Sequence, residues 1–176
     1  MSSIKLTNEG KDEMATKVKS IKANDGLSSE QQTGVVNLLK AALGDQHVLY
    51  MRMRNYHWNV RGPNFSQLHA LFMAQYTEMW TAIDEVAERI RALGELAPQG
   101  YGAFGNLSSI KDGDPTKGAN GMLKDLIASH EALISTLYGI LPAAQEAGDE
   151  VTAGLITDRL TAHEKHVWML KSSLDT

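Results

Sequence analysis

FSQLHALFMAQYTEMWTAIDEVAERIRALG, residues 65–94, decides the fold because it lays two stripes along one helix. Leu68, Phe72, Gln75, Met79, Ile83, Val86, Ile90 and Leu93 recur three or four residues apart, the spacing of a helix face that packs on a core. Gly94 supplies the stop. His69, Met73, Tyr76, Trp80, Asp84 and Glu88 form a second stripe, roughly 100° round the axis from the first. The first stripe is free to face a helix bundle while the second faces a neighbour.

His69 and Asp84 stand 15 residues apart, about 22 Å along a helix at roughly 1.5 Å per residue. One metal ion cannot span that distance within one chain. An antiparallel two-fold contact centred between Tyr76 and Thr77 sets His69 of one copy against Asp84 of the other, with the reverse pair at the far end. Two equivalent sites per dimer follow, so these polar groups point to an oligomer with its chemistry at the interface.

Upstream of this helix, Val36, Leu39, Leu43, His47 and Tyr50 recur at helical spacing, predicting a helix from Ser28 or Ser29 to about Trp58. The turn Arg61-Gly62-Pro63-Asn64 is short, so the two helices fold back antiparallel. Downstream, Glu95 to Ala119 is a glycine-rich connection, and its length predicts a short helix around Phe104 to Ile110 rather than open coil. A third long helix is expected from about Asn120 to Ala147, with Leu123, Leu126, Ile127, His130, Leu133, Ile134, Leu137 and Leu141 apolar or inward and a kink at Pro142. Gly148-Asp149 ends it, and Ile156, Leu160, His163, Val167, Leu170 and Leu174 mark a fourth. The expected fold is all-α, a four-helix bundle with one long crossover between helices two and three that carries the short extra helix. Residues 28–176 form this domain, and residues 1–27 read as a flexible, lysine-bearing tail.

A chain of 176 residues suits one domain that buries roughly 70% of the surface its unfolded form exposes. The chain has no cysteine, which removes disulfides, thiolate metal sites and thiol nucleophiles, and suits a reducing compartment. The first twenty residues lack an apolar signal core, and no run of 18 apolar residues occurs, so a cytoplasmic protein without a membrane partner is expected. A net charge of −4 argues against a body that neutralises nucleic-acid phosphates over its general surface.

The string His57-Trp58-Asn59-Val60-x-Gly62-x-x-Phe65-x-x-Leu68-His69, followed by Ile83-Asp84-Glu85-Val86-Ala87-Glu88-Arg89-Ile90 and Leu93-Gly94, resembles the Dps family, the miniferritins of the ferritin-like fold. The likeness spans about residues 30–175 and includes His163-Glu164-Lys165 and Trp168-Met169-Leu170. The resemblance implies a hollow homo-dodecamer that oxidises Fe(II) at its two-fold interfaces, typically with hydrogen peroxide, and stores ferric mineral inside, so shielding DNA from oxidative damage. It implies a ferroxidase whose iron ligands are His57 and His69 from one subunit and Asp84 and Glu88 from its partner. Imidazole and carboxylate together suit Fe(II), and the carboxylate charge favours the ferric product. Trp58 and Trp80 are read either as interceptors of oxidants beside the site, by family analogy, or as interface packing.

One departure stands out. The family carries an acidic residue one turn after the second histidine, where this chain has Met73, a soft, uncharged group poorly suited to iron. Three outcomes are open: slower oxidation, a replacement ligand from His163 or His166, or a shell that shields or compacts DNA with an impaired oxidase site. His47 and His130 lie on apolar stripes and read as hydrogen-bonded core residues. His163 and His166 are three apart on one helix; packing or exposure is the default, with additional metal ligation as the alternative, and His-Glu-Lys-His is not the zinc-protease motif. A ferritin-like di-metal enzyme acting on another substrate would need Glu-x-x-His pairs inside one bundle, and these are absent.

DNA binding rests on the tail. Lys5, Lys11, Lys17, Lys19 and Lys22 stand against Glu9, Asp12, Glu13 and Asp25, five positive charges to four negative. Multiple copies add avidity, so the expectation is weak, salt-sensitive, sequence-independent binding, with a possible nucleoid association. Glu146, Asp149, Glu150 and Asp158 read as a solvated polar face, or alternatively as the lining of an iron-entry pore on a three-fold axis.

Overall fold

A computed structural model describes residues 26–174, and among these there is no strand. Five helices follow in order: α1 Ser29–Asn59, α2 Phe65–Ala92, α3 Tyr101–Leu107, α4 Ala119–Ala147 and α5 Glu150–Ser172. α1 packs on α2 and α4, α4 on α5, and α2 more thinly on α5, while the short α3 lies against α1. This is the four-helix bundle with a helix in its crossover. Residues 1–25 of the expected tail lie outside the described residues. Leu27, placed in the tail, instead packs against the core, and Ser28 starts α1 with a capping box in which Ser28 and Gln31 each bond the other's backbone N–H.

The α2 stripe is the core line as read, with Leu68, Phe72, Gln75, Met79, Val86, Ile90 and Leu93 buried and Ile83 half-buried. On α1 the inward line drifts. His47 and Tyr50 are half-buried, and Gln46, Leu49, Met53 and Tyr56 take the core positions instead. α4 runs on through Pro142 to Ala147. By length and composition it is apolar enough to cross a membrane, but its Leu123, Leu126, Leu133 and Leu137 are committed to the bundle core.

The crossover helix begins and ends three residues earlier than expected, and the cause is Asp45. Its carboxylate, 1% exposed, accepts from Ser108 Oγ at 2.9 Å, Ser109 N at 2.6 Å, Ser109 Oγ at 3.1 Å and Thr136 Oγ1 at 2.7 Å. The Ser109 amide therefore serves Asp45 and not a helical carbonyl, and α3 stops at Leu107. A second anchor lies nearby: Tyr56 donates to Asp125 Oδ2 at 2.6 Å and accepts from Asp114 N at 3.2 Å. Burial and the adjacent Asp125 carboxylate push the Tyr56 hydroxyl up to about 12.

α1 and α3 cross at Gly44. A Cβ there would sit 2.8 Å from Leu107 Cβ and 3.0 Å from Phe104 O and Ser108 N. Because two of these neighbours are backbone atoms held by the Asp45 network, they have little room to give. Gly44→Ala is expected to cost about 1–3 kcal/mol, the range for overpacking a tight site, seen as a lower midpoint in thermal circular dichroism. An unchanged midpoint would show that α3 slides freely on α1.

Asp149, read as a solvated or pore-lining acid, is neither. It is buried, bonds Arg89 Nη2 at 2.7 Å, and caps α5 by accepting from Thr152 N at 3.0 Å and Thr152 Oγ1 at 2.5 Å. Burial raises its affinity for a proton, but the Arg89 and Thr152 bonds outweigh this and hold the carboxyl below its ordinary value. Glu146, Glu150 and Asp158 remain exposed.

Candidate metal centre

The turn between α1 and α2 brings His57, near the end of α1, beside His69, in the second turn of α2. Gly62 makes the turn possible with a φ of 118°, a conformation that disfavours residues with a side chain. The two imidazoles stack with centroids 3.6 Å apart and planes 22° from parallel. Each then locks the other: His57 Nδ1 donates to His69 O at 2.7 Å, and His69 Nδ1 donates to His57 O at 2.8 Å. A carbonyl only accepts, so both Nδ1 atoms carry hydrogen. Each Nε2 is left with its lone pair as the ligand atom, in a ring already oriented by its backbone partner. Tyr76 stands edge-on to His57 at 5.3 Å, and Phe65 flanks His69 at 5.0 Å.

Asp84 and Glu88 do not join this pair. They are exposed further along α2, as the axial distance requires of a single chain. Met73, Trp80 and Phe65 are exposed on the same helix at 45%, 67% and 44%, so the carboxylates share their stripe with apolar groups that a monomer has no reason to present together. Trp58 is exposed too, with the Arg54 guanidinium 5.1 Å from its ring centroid; Arg54 also lies 5.6 Å from Tyr50 and 5.7 Å from Tyr76.

The remaining histidines divide. His47 is half-buried and not in the core; it donates from Nδ1 to Leu43 O at 2.8 Å and stacks on Phe104 at 3.5 Å, and burial lowers its pKa. His130 is fully buried, as read. His163 and His166 are buried as well, and both gather with His130 rather than with His57 and His69. Sequence reading missed that three-histidine group and the buried Asp45 and Arg159. The signal available for Asp45 was a carboxylate set among the inward positions of α1, between Leu43 and Leu49.

The chain matches a family model for the ferritin-like domain over residues 36–176. It is 37% identical over 155 residues to a low temperature-induced protein of Nostoc, covering 86% of each chain. It is 36% identical over 141 residues to DNA protection during starvation protein 2 of Bacillus anthracis, covering 80% of this chain and 97% of that one. Among solved structures, the Dps protein of Vibrio cholerae, described as a member of the ferritin-like diiron-carboxylate superfamily, superposes with a TM-score of 0.82 at 33% identity, over 86% of this chain and 95% of that one. Fold and sequence agree, and the chain belongs to the ferritin-like family as a Dps protein.

Proposed function

We propose that this protein is a cytoplasmic iron-storage ferroxidase that assembles as a dodecamer, oxidises Fe(II) with hydrogen peroxide at two-fold interfaces and keeps the ferric product inside the shell, thereby protecting DNA. The observation that carries the reading is the mutual Nδ1-to-carbonyl lock of His57 and His69. It presents two Nε2 lone pairs in fixed orientation while the carboxylates of the same face are left for a partner. Placed antiparallel about the midpoint of Tyr76 and Thr77, α2 sets Asp84 and Glu88 opposite the partner's His69 and Phe65. The histidines bind and orient the ferrous ion, and the carboxylates add the negative charge that favours Fe(III). Each peroxide takes one electron from each of two ferrous ions; its O–O bond breaks, and hydrolysis of the ferric ions releases protons.

The test is anaerobic loading of the metal-free oligomer with Fe(II), followed by stoichiometric peroxide, with ferric absorbance recorded beside a protein-free control. Fast oxidation that stays soluble is expected. Oxidation no faster than the control would move the weight to a DNA-compacting shell with an impaired oxidase site.

Met73 favours a modest catalyst. Two-fold arithmetic pairs it with the partner's Trp80, a thioether against an indole ring, which suits interface packing rather than ligation. Met73→Asp adds a hard anionic oxygen one turn from His69 and is expected to raise the oxidation rate several-fold and to increase the Fe(II) bound per chain in equilibrium titration. No change in either would mean that the site is already complete. DNA binding, from the near-neutral tail, is expected only at low salt; tight, tail-dependent retention in a gel shift at physiological salt would overturn this.

A further inference from the structure

The three histidines inside the bundle have no part in the interfacial site. We propose that His130, His163 and His166 form a second metal site, enclosed within each subunit's own helices, that takes a borderline divalent transition ion such as Zn(II).

The first support is geometric. One nitrogen from each ring belongs to a group whose members all lie within 4.8 Å of one another, and the ring centroids are 5.2, 5.3 and 6.0 Å apart. Three imidazoles on a tetrahedral zinc ion, with bonds of about 2.0–2.1 Å, hold their nitrogens about 3.3 Å apart and their centroids about 5 Å apart. His130 and His163 already approach this, with Nδ1 atoms 3.0 Å apart. Closing the set requires the His166 nitrogen, within 4.8 Å of the other two, to approach them to about 3.3 Å.

The second support is what the rings lack. The bond between His130 and His163 uses one proton and one lone pair, yet Nε2 of both rings and Nδ1 of His166 are buried with no hydrogen-bond partner. Buried polar groups are nearly always satisfied, so an unpaired nitrogen on every ring of one cluster points to a partner that is not a side chain of this bundle, and one ion takes one nitrogen from each ring. Burial of all three rings lowers their pKa values, that of His130 to about 3. The rings are therefore neutral, the form that ligates metal.

The charges around the cluster set which ion fits. Arg159 is buried, and its cation acts on all three rings, but its Nη1 is held by Glu78 Oε1 at 2.5 Å. Glu78 Oε2 is itself buried without a partner, and its charge acts on His166. Lys165 adds a weaker positive contribution at His166. At His166 the Glu78 charge outweighs that of Arg159, whereas His130 and His163 feel Arg159 without it, and the ligand set itself is all nitrogen. Such a set suits Zn(II), Co(II) or Cu(II) and disfavours Fe(III), which prefers hard anionic oxygen. The two sites then sort metals by ligand chemistry, with iron at the interface and a nitrogen-seeking ion inside the subunit.

The experiment removes the interfacial ligands first. The chain has six histidines, so His57→Ala/His69→Ala/Asp84→Ala/Glu88→Ala leaves only the inner three and His47, and alters nothing in the inner cluster. The metal-free oligomer of this variant is titrated with Co(II), whose tetrahedral nitrogen complexes absorb strongly in the visible, and then with Zn(II). The expected result is one strongly absorbing Co(II) per chain, bleached by one equivalent of Zn(II), with a rise in thermal midpoint. His163→Gln in the same background, which keeps a hydrogen-bonding side chain, is expected to lose the bands. Weak octahedral absorption only, no Zn(II) retained after gel filtration, or bands that survive His163→Gln in a folded variant would overturn the proposal. If His163→Gln does not fold, the parent variant decides alone, since no other three-histidine set remains.

Discussion

His57→Ala and Asp84→Ala are each expected to reduce peroxide-driven oxidation of Fe(II) to the rate of a protein-free control, and a mixture of the two is expected to regain activity. The first half follows from ligand loss. Each variant removes one of the four groups proposed to hold the ion, and the three that remain leave a coordination position open and hold Fe(II) less tightly. The second half follows from symmetry. A dimer of one His57→Ala chain and one Asp84→Ala chain concentrates both lesions in one of its two sites and leaves the other with an intact His57, His69, Asp84 and Glu88. Random reassembly of equal amounts makes half the dimers mixed, so about a quarter of the sites should recover. The measurement is ferric absorbance after co-refolding the variants, with each variant refolded alone as the control. Recovery near a quarter requires histidine and carboxylate to come from different chains. Complete absence of rescue in mixed shells verified by mass would place all four ligands in one chain and end the interfacial reading.

Single-chain geometry already leans this way. His57 and His69 sit close enough to stack at 3.6 Å, whereas Asp84 and Glu88 stand more than four helical turns beyond His69 on the same straight element. Arithmetic on the spacing is enough to place the histidine pair and the carboxylate pair apart within one chain. The mutual carbonyl lock was beyond that reading, because it depends on where the Arg61–Asn64 turn sets α1 against α2, which no periodicity encodes. The α2 core stripe was legible almost residue by residue for the opposite reason: one helix face repeated over 28 residues leaves little freedom. The three-histidine cluster falls between these cases. His163 and His166 lie on one turn of α5, but His130 belongs to another helix 33 residues away from His163. The register between α4 and α5 alone brings it to them. Asp149 was misplaced on the same grounds, since its acidic character suggested solvent while Arg89, from α2, supplies the buried countercharge.

Asp45→Ala is expected to destabilise the fold more than any single substitution at the interfacial site, by about 3–4 kcal/mol. The carboxylate accepts bonds from Ser108, Ser109 and Thr136 and so ties α1 to the crossover and to α4 at one point. Hydrogen bonds to a charged group contribute about 1.5–3 kcal/mol each, and donors left unsatisfied in a buried site add their own desolvation cost. Relief from burying the charge itself offsets part of this total. At roughly 2–4 °C per kcal/mol for a chain of this size, the thermal midpoint falls by roughly 10 °C when compared at equal chain concentration. Asp45→Asn separates charge from geometry. Its Oδ1 still accepts from both serines, and its amide faces Thr136 Oγ1, which can turn to donate to Ala132 O, 3.3 Å away. The expected order of stability is wild type, then Asn, then Ala, with the Asn variant within about 1–2 kcal/mol of wild type. An Ala variant within about 1 kcal/mol of wild type would show that the apolar contacts of α3 hold the crossover without the carboxylate. Equal losses in both variants would show that the negative charge itself, set among three hydroxyl and amide donors, is what α1 contributes.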